Sequence, residues 1–371
     1  MKVVWVYPVD KRDGISLYAG RYVAALKPLI AVESADVEEC RKAGPALLQK
    51  LSECDVVHIQ YEPSFFVRGS RDSYEPLCRR IRVPLVVTLH EVYDSFPGVF
   101  PRDRIRGNPI TKQLKRSLYD YRHPALTRFS HHLAHGFWAH IVLVHHGYQK
   151  AVIANSGLPS HRIAVMAHPV PAIGTAPDGG SARDSITDVR MGATGFLNPG
   201  YDYDLLMRAL EKLTVPWHFT WIGGIRRQED TLVLRSLQQQ IVKRGWEQRF
   251  TITGWVADED QIRRLASLDL FLALFKHRST SGSLAMAFAA GLPTIATSLP
   301  LTEALRSNAE MLLTSPPDAQ QVADRIRALI DDCHLRQRLR KTAARYAADH
   351  SYENMARQMV QLYERFAADK A

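Results

Sequence analysis

LFLALFKHRSTSGSLAMAFAAGLPTIAT, residues 270–297, reads as a strand, a loop, a helix and a second strand. Leu270–Leu274 is a short continuous apolar run, the pattern of a strand covered on both faces. The polar stretch His277–Ser281 passes through Gly282 into Ser283–Ala290, a helix of small residues, and Thr294–Thr297 is the next buried run. Strand, helix and strand in this order make a unit of parallel sheet with the helix packed on one face.

Outward from this unit the alternation continues. Arg190–Phe196, His218–Ile222, Phe250–Thr253 and Met311–Leu313 read as further strands. Helices are expected near Asp204–Leu213, Thr231–Arg244 and Glu259–Leu268. Asp318–Phe366 is nearly all helical, with a break near His350–Ser351. The first half repeats the pattern: Val3–Tyr7, Val56–Ile59, Leu85–Leu89, Ile141–Val144 and Ile163–Ala167 are strand candidates, and Tyr18–Leu26 is an amphipathic helix. His168–Ser185 is rich in Pro, Gly and Ala, lacks a hydrophobic period and reads as a linker. The expected organisation is a Rossmann-like domain over 1–170, a linker over 171–187, a second Rossmann-like domain over 188–350 and a last helix over 351–371. In open parallel sheets ligands bind beyond the carboxyl ends of the strands, so two such sheets are expected to face a central cleft.

Composition agrees with two domains. The chain has 371 residues, 46% hydrophobic and 23% charged, which is too long for one core and excludes low complexity. Four cysteines (Cys40, Cys54, Cys78, Cys333) without CxxC spacing point to a reduced cytosolic setting. MKVVWVYPVD turns polar too early for a signal peptide, and no apolar run approaches the roughly 18 residues of a membrane span. The net charge is +10, and Pro101–Arg128 alone holds eight basic and two acidic residues.

The loop before Gly282 is the first place to seek chemistry. A helix start offers unpaired N–H groups and the positive end of the dipole. Ser279, Thr280, Ser281 and Ser283 add hydroxyls, His277 and Arg278 add charge, and Gly282 lets backbone approach a ligand. Such a loop suits a diphosphate. The same residues also describe an ordinary Ser-capped helix.

The sequence resembles the retaining GT-B glycosyltransferases, particularly the large family 4. The matching stretches are DVVHIQYEP (Asp55–Pro63), VPLVVTLHE (Val83–Glu91), RIAVMAHPV (Arg162–Val170), GFLNPGYDYDLLMRAL (Gly195–Leu210), ITGWVADEDQIRRLASLDLFL (Ile252–Leu272), SGSLAMAFAAGLPTIAT (Ser281–Thr297) and the terminal SYENMARQMVQLYERF. Their order and spacing carry the resemblance. It implies transfer of a sugar from a nucleotide-diphosphate donor held by the second domain to an acceptor held by the first. It also implies retention at the anomeric carbon, no cofactor, no metal, and a last helix that crosses back to the first domain.

This sequence departs from that family at four donor contacts. The two usual glutamates correspond to Arg278 and Met286, and the usual Arg and Lys after the first strand of the second domain correspond to Phe196 and Tyr201. Arg278, His277, Arg226 and Arg227 are the candidates to replace them on the diphosphate. Arg226 and Arg227 follow Gly223 and Gly224 after a strand, where solvated surface arginines are equally expected. A degenerate relative that binds nucleotide or glycan as a partner subunit is the alternative, as is an enzyme with a soluble small-molecule or protein acceptor.

In the first domain Gly14 lies in the first strand–helix loop, within GISLYAGRYVAAL, which resembles the family's glycine loop that approaches the acceptor and the donor phosphate, so Gly14 and, in the second domain, Gly223 are further candidate donor contacts. His58, Gln60 and Glu62 end one strand, and His90 and Glu91 end the next. Alternation means that only some of them share a face. The resemblance places His90 near the donor sugar and acceptor, and His90 and Arg278 are the candidate catalytic residues. Glu62, Glu91, His58, Gln60 and His146 are candidate acceptor contacts. Six histidines fall within residues 131–146, but no acidic or cysteine ligand is nearby in sequence, so no metal site is expected. The strings Asp202–Asp204 and Asp258–Asp260 open helices and read as caps.

The basic segment lies after the His90 strand. Arg102, Arg104, Arg106, Lys112, Lys115 and Arg116 are candidates for an anionic acceptor or membrane surface, with Phe96, Val99 and Phe100 as an apolar wedge. A solvated basic face is the plain alternative. No reader motif or stacking platform for nucleic acid is present. The expectation is therefore a glycosyltransferase of surface polysaccharide or glycolipid assembly, cytoplasmic and peripheral on the inner face of the plasma membrane.

Overall fold

The apolar runs form two parallel sheets. The computed structural model describes residues 1–9, 13–68, 71–93, 107–122, 135–172, 186–226 and 228–368. They divide into two units, Met1–Ala167 with Tyr352–Ala371, and His168–Ser351.

The first unit contains β1 (Lys2–Tyr7), β2 (Ala31–Asp36), β3 (Val56–Tyr61), the short β4 (Val67–Arg68) and β5 (Arg71–Asp72), β6 (Leu85–Leu89), β7 (Ile141–Val144) and β8 (Ile163–Val165). Six of them make one parallel sheet in the order β2-β1-β3-β6-β7-β8, while β4 and β5 form a separate antiparallel pair. The sequence reading lacks β2. AVESAD alternates weakly because it is an edge strand, mostly half-exposed, with Glu33 and Asp36 tolerated there.

Alternation along each strand gives the sheet two distinct cores. Val4, Val6, Val57, Ile59, Val87, Leu89, Val142 and Val144 pack on one side. Val3, Trp5, Val56, Val86, Ile141 and Leu143 pack on the other, against Tyr18, Tyr22 and Leu26 of the helix Gly14–Leu26 and Tyr352, Met355, Met359 and Tyr363 of the helix Tyr352–Ala368. The C-terminal helix is thus part of the first unit's core, and those four side chains are 6% exposed or less.

The second unit contains β9 (Val189–Thr194), β10 (Trp217–Ile222), β11 (Phe250–Ile252), β12 (Leu270–Ala273), β13 (Thr294–Thr297) and β14 (Leu312–Ser315). They form a parallel sheet in the order β11-β10-β9-β12-β13-β14. β9 ends at Thr194, short of the expected Phe196, because Gly195 turns with φ +117°. The sheet order reverses at β9, with β10 on one side and β12 on the other, and at β1, with β2 and β3 beside it. Such switch points leave a crevice at the carboxyl ends of the flanking strands. The tail helices Ala319–Asp331 and Cys333–Asp349 stop at His350–Ser351, where the Val170 N–H donates to the His350 carbonyl at 2.8 Å.

Candidate active site

In the second unit the loops after β9 and β12 are zipped together. The Lys276 N–H donates to the Gly200 carbonyl at 2.9 Å and the Asp202 N–H to the Leu274 carbonyl at 2.7 Å. Tyr201, at a position that the resemblance gives to a basic donor contact, is buried instead, with its hydroxyl donating to the Leu272 carbonyl at 3.1 Å. Burial raises that hydroxyl's pKa. Tyr201 is therefore part of the floor and supplies no charge.

The polar loop then enters the helix Gly282–Ala289, one residue earlier than expected. Ser281 is its N-cap, accepting the Leu284 N–H at 3.2 Å, and lies 3.0 Å from the Ser283 hydroxyl. Ser279 is buried, while Thr280 and His277 are half-buried. The N-cap role expected of any serine here is filled, and the helix start keeps further donors besides. A side chain added at Gly282 meets nothing within 4 Å.

Arg278 is the charged group of this loop. Its guanidinium carbon sits 4.8 Å from the centre of the Phe275 ring. Its Nε is buried without a hydrogen-bond partner, and an added Cβ on Gly200 would stand 3.8 Å from one of its terminal nitrogens. The cation therefore leans across the loop Asn198–Gly200 on an aromatic support. From Leu270 to Thr302 the sequence holds Lys276, His277 and Arg278 and no acidic residue. This strand–loop–helix carries positive potential with nothing of its own to cancel it.

Gly223 has a structural duty. With φ +138°, it lies so close to Gly195 that a Cβ would stand 2.2 Å from the Gly195 carbonyl oxygen. The contact draws the ends of β9 and β10 together, and the Trp221 indole N–H donates to that same oxygen at 3.0 Å. Beyond it, Phe196 stacks on Trp255 with centroids 5.8 Å apart and planes 20° apart. The Arg226 guanidinium lies 5.7 Å from the Phe196 centroid. Trp255 is 54% exposed, so one end of the loop cluster presents an open aromatic plate with a cation beside it. The sequence reading missed Trp255. Its signal was a tryptophan directly after Gly254 at a strand end, where a core indole has no reason to be. Arg227 lies outside the described residues.

The acidic strings behave as caps. Asp202 accepts the Leu205 N–H at 3.1 Å. Asp258, Glu259 and Asp260 fill the first turn of the helix Asp258–Ala266, and Asp260 pairs with Arg263 at 3.0 Å.

In the first unit alternation sorts the strand-end candidates. His58 pairs with Val86 and Gln60 with Thr88 in the β3–β6 register. Thr88 pairs with Leu143 in the next. His58, Gln60, Thr88, His90 and His145 consequently share the face beneath Gly14–Leu26. The Tyr18 ring reaches down from that helix to 4.9 Å from His90 and 5.6 Å from His145.

These residues are not equivalent. His58 is wholly buried; one ring nitrogen meets the Tyr363 hydroxyl and the other the Thr88 hydroxyl at 2.7 Å. Both nitrogens are spent inside the core. Burial, with His145 nearby, pushes its pKa down to about 3. The imidazole Nδ1–H of His145 donates to the Met166 carbonyl at 3.0 Å, and burial takes its pKa down to about 4. His146 precedes the helix Gly147–Asn155, stacks on Tyr148 and is held neutral by burial and His145, with its pKa at about 3. Gln149 fixes this turn by accepting the N–H groups of His145 and His146 at 2.8 and 2.9 Å. Glu62 is occupied locally, accepting the Ser64 N–H at 3.1 Å and the Ser64 hydroxyl. Glu91 is half-buried directly after His90.

His90 stands at the carboxyl end of β6, 6% exposed, with its Nε2–H donating to Gln60 Oε1 at 2.9 Å. Gly14 opens its helix after Asp13, whose carboxylate accepts the Ile15 N–H at 2.8 Å. A side chain at Gly14 meets nothing within 4 Å. Gly14 and Gly282 thus occupy matching places, each at a helix start after a strand and each with space that the fold does not fill.

Of the basic segment, Arg102, Arg104 and Arg106 lie outside the described residues, as do Phe96, Val99 and Phe100. Lys112, Lys115 and Arg116 are on the helix Pro109–Arg122, where Lys115 is exposed and Lys112 and Arg116 are half-buried.

A family model described as Glycosyl transferases group 1 matches residues 188–332. The second unit is similar to that family, and the chain as a whole has the GT-B fold. Among solved structures, HepE of Anabaena in complex with UDP-glucose shares 17% identity, with a TM-score of 0.71 over 98% of this chain and 100% of that one. Sucrose-phosphate synthase from Thermosynechococcus elongatus shares 13%, with a TM-score of 0.74 over the full length of both. The lipopolysaccharide outer core galactosyltransferase WaaB shares 13%, with a TM-score of 0.62 over 100% of this chain and 99% of that one. At these identities the likeness is one of fold. No curated protein sequence matches. Both sheets of this GT-B chain are parallel and helix-flanked, as expected from the alternation, and no helix among the described residues is long and apolar enough to cross a membrane.

Proposed function

We propose that this GT-B chain transfers a sugar from a nucleotide-diphosphate donor to a glycan or lipid-linked acceptor, with retention at the anomeric carbon, in surface polysaccharide or glycolipid assembly. The observation that carries the reading is Arg278, a cation leaning across an acid-free loop at the start of Gly282–Ala289. As the glycosyl bond breaks, negative charge grows on the leaving diphosphate. Helix-start N–H groups, the hydroxyls of Thr280 and Ser283 and the guanidinium of Arg278 are preset to meet it, which is electrostatic stabilisation without reorganisation. His277 and Arg226 add charge on either side. The protein supplies this charge itself, so the reaction as proposed calls for no metal.

The Phe196–Trp255 plate is the natural seat for the donor's base. It offers a π-face where the usual basic side chain is missing, and Arg226 beside it returns the lost charge. On the acceptor side, His90 and Glu91 are the proposed contacts, and Gly14 is proposed to approach the donor phosphate. His58 serves the core, and Glu62 holds the turn after β3. Retention needs no dedicated protein base if the departing phosphate takes the acceptor's proton as the acceptor attacks from the same face.

The test is a panel of UDP-, GDP-, dTDP- and CMP-sugars, scored by thermal shift and by slow hydrolysis. Binding raises the midpoint because the ligand prefers the folded state. A shift with one nucleotide, hydrolysis of its sugar and loss of both in Arg278→Ala support the reading. Binding without hydrolysis or transfer identifies the degenerate partner-subunit alternative. No shift with any nucleotide sinks both.

A further inference from the structure

At the amino ends of β9 and β12, opposite the loops of the candidate site, the second unit gathers arginines around one carboxylate. Asp269 directly precedes β12 and is 6% exposed. Its N–H donates to the Arg190 carbonyl at 2.7 Å, and its two oxygens accept the Arg190 guanidinium at 3.0 and 3.2 Å. That guanidinium uses Nε and one terminal nitrogen there, and the side chain is 39% exposed, so its other terminal nitrogen is left for an outside acceptor. The helix Cys333–Asp349 adds two guanidiniums one turn apart. Arg336 is 5% exposed and donates to the Leu329 and Ile330 carbonyls at 2.7 Å each, closing the end of the preceding helix. Arg340 is half-buried and makes no hydrogen bond or ion pair among the described residues. It lies within electrostatic reach of Asp269, Arg336 and Arg190. Burial lowers its pKa, the Asp269 carboxylate raises it in part, and the two like charges lower it again. Asp188, which also acts on Arg190, is half exposed and faces His218 at 3.6 Å.

We infer that Arg340 and Arg190 form a second anion site, which takes a phosphate group at the amino ends of β9 and β12. A half-buried guanidinium has given up hydration, and its five donors get nothing back from the described protein groups. Both oxygens of the nearby carboxylate are already engaged by Arg190. Three guanidiniums against that one buried carboxylate leave an excess of positive charge that suits a dianion. The planar fork of arginine matches phosphate oxygens two at a time. The frame is also braced: Asp269 fixes Arg190, and Arg336 ties the Arg340 helix to the end of the one before it. Less side-chain freedom is therefore lost on binding. The donor reading places its diphosphate at the other ends of these strands, beside Arg278, so the two sites are separate and either can fail alone. The shared chemistry is a phosphate dianion, supplied as free phosphate or as the phosphoryl group of a small ester.

The experiment is calorimetric titration of the full chain with inorganic phosphate, with glycerol 3-phosphate and with chloride at matched ionic strength. The parent carries Arg278→Ala, which removes the cation proposed for the donor diphosphate. Arg340→Gln and Arg340→Lys are made in that parent, and circular dichroism checks each fold. The parent binds phosphate, Arg340→Gln weakens it by about tenfold or more, and Arg340→Lys, which keeps the charge without the fork, falls between them. Equal affinity for both phosphate probes assigns the site to free phosphate, and tighter binding of the ester assigns it to a phosphorylated metabolite. The inference is overturned if neither probe binds the parent at up to about 10 mM, or if chloride reproduces the phosphate signal. It is also overturned if Arg340→Gln binds phosphate as the parent does. Should Arg340→Gln fail to fold, Arg340→Lys decides: weaker phosphate binding than the parent supports the site, and equal binding overturns it.

Discussion

The amide oxygen of Gln60 accepts the Nε2–H of His90 at 2.9 Å, across two neighbouring strand ends in the first unit's sheet. An amide oxygen can only accept, so this bond places the neutral imidazole's proton on Nε2 and leaves Nδ1 as the acceptor nitrogen. Gln60 is wholly buried and its Nε2 makes no hydrogen bond, so its orientation toward His90 is its one polar commitment among the described residues. Tyr18 packs edge-on to the imidazole at 4.9 Å and holds the ring plane. If His90 contacts a sugar or acceptor hydroxyl, Gln60 acts through it. Gln60→Met is expected to cut turnover by roughly the same factor as His90→Ala, on the order of tenfold to a hundredfold. Gln60→Glu keeps an acceptor oxygen and should retain more activity than Gln60→Met. A double-mutant cycle in transfer assays, with a coupling near the smaller single effect, is the check. Additive losses would mean that the two residues act independently.

Arg278 and Arg190 make opposite predictions. Arg190 is tied to Asp269 by its backbone N–H at 2.9 Å and its guanidinium at 3.0 and 3.2 Å, at the amino ends of β9 and β12. Arg278 makes no hydrogen bond or ion pair among the described residues. Arg190→Ala should therefore lower the melting temperature and leave nucleotide affinity per folded molecule unchanged. Arg278→Ala should leave the melting temperature within a degree or so of wild type. It should weaken nucleotide-diphosphate binding by about 1.5–3 kcal/mol, the usual loss of a charge-assisted bond. Calorimetric melts and titrations of both variants decide it. Unchanged diphosphate affinity in Arg278→Ala would remove this residue from the donor site.

Gly14 and Gly282 test whether empty space is kept for a ligand. Neither has a positive φ, and a Cβ at either meets nothing within 4 Å. The fold alone would accept alanine at both helix starts, with a small gain from reduced unfolded-state freedom. Gly14→Val and Gly282→Val should consequently fold with melting temperatures close to wild type. Donor binding should fall by about tenfold or more where the branched side chain fills the approach. Gly223→Ala is the contrast, because its Cβ would overlap the Gly195 carbonyl and its loss should appear in stability. The measurement is thermal melting beside nucleotide-sugar titration.

How much of this the sequence discloses depends on the kind of signal. The βαβ alternation is legible because buried parallel strands are uninterrupted apolar runs, as in Leu270–Ala273 and Ile141–Val144. The edge strand Ala31–Asp36 is not, because half of it meets water and it needs no apolar period. Candidate residues at strand ends are legible as a set, but not their division. His58 and His90 lie on the same face and look alike in sequence, and only the Tyr363 and Thr88 contacts show that His58 is spent in the core. Both those partners are distant in the chain. The Phe196–Trp255 plate joins residues from the ends of β9 and β11, so no local motif announces it.

Acid should weaken the first unit well before its carboxylates are protonated. His58, His145 and His146 have pKa values of about 3, 4 and 3, each lowered chiefly by burial. In the unfolded chain they titrate near about 6.5. The unfolded state therefore binds more protons whenever the pH lies below that value, and stability falls as pH falls. The full contribution is present above about pH 6.5, and the loss continues until the folded pKa values are reached. Each neutral imidazole gives a slope of about 1.4 kcal/mol per pH unit in the middle of that window, so the three together make a steep limb. Melting curves should show the midpoint dropping from about pH 6 downward, while ring proton resonances of His58, His145 and His146 stay at their neutral positions in the folded protein. Resonances of these three that titrated near the ordinary histidine value would show that their burial does not hold them neutral, and the acid limb would then belong to other groups.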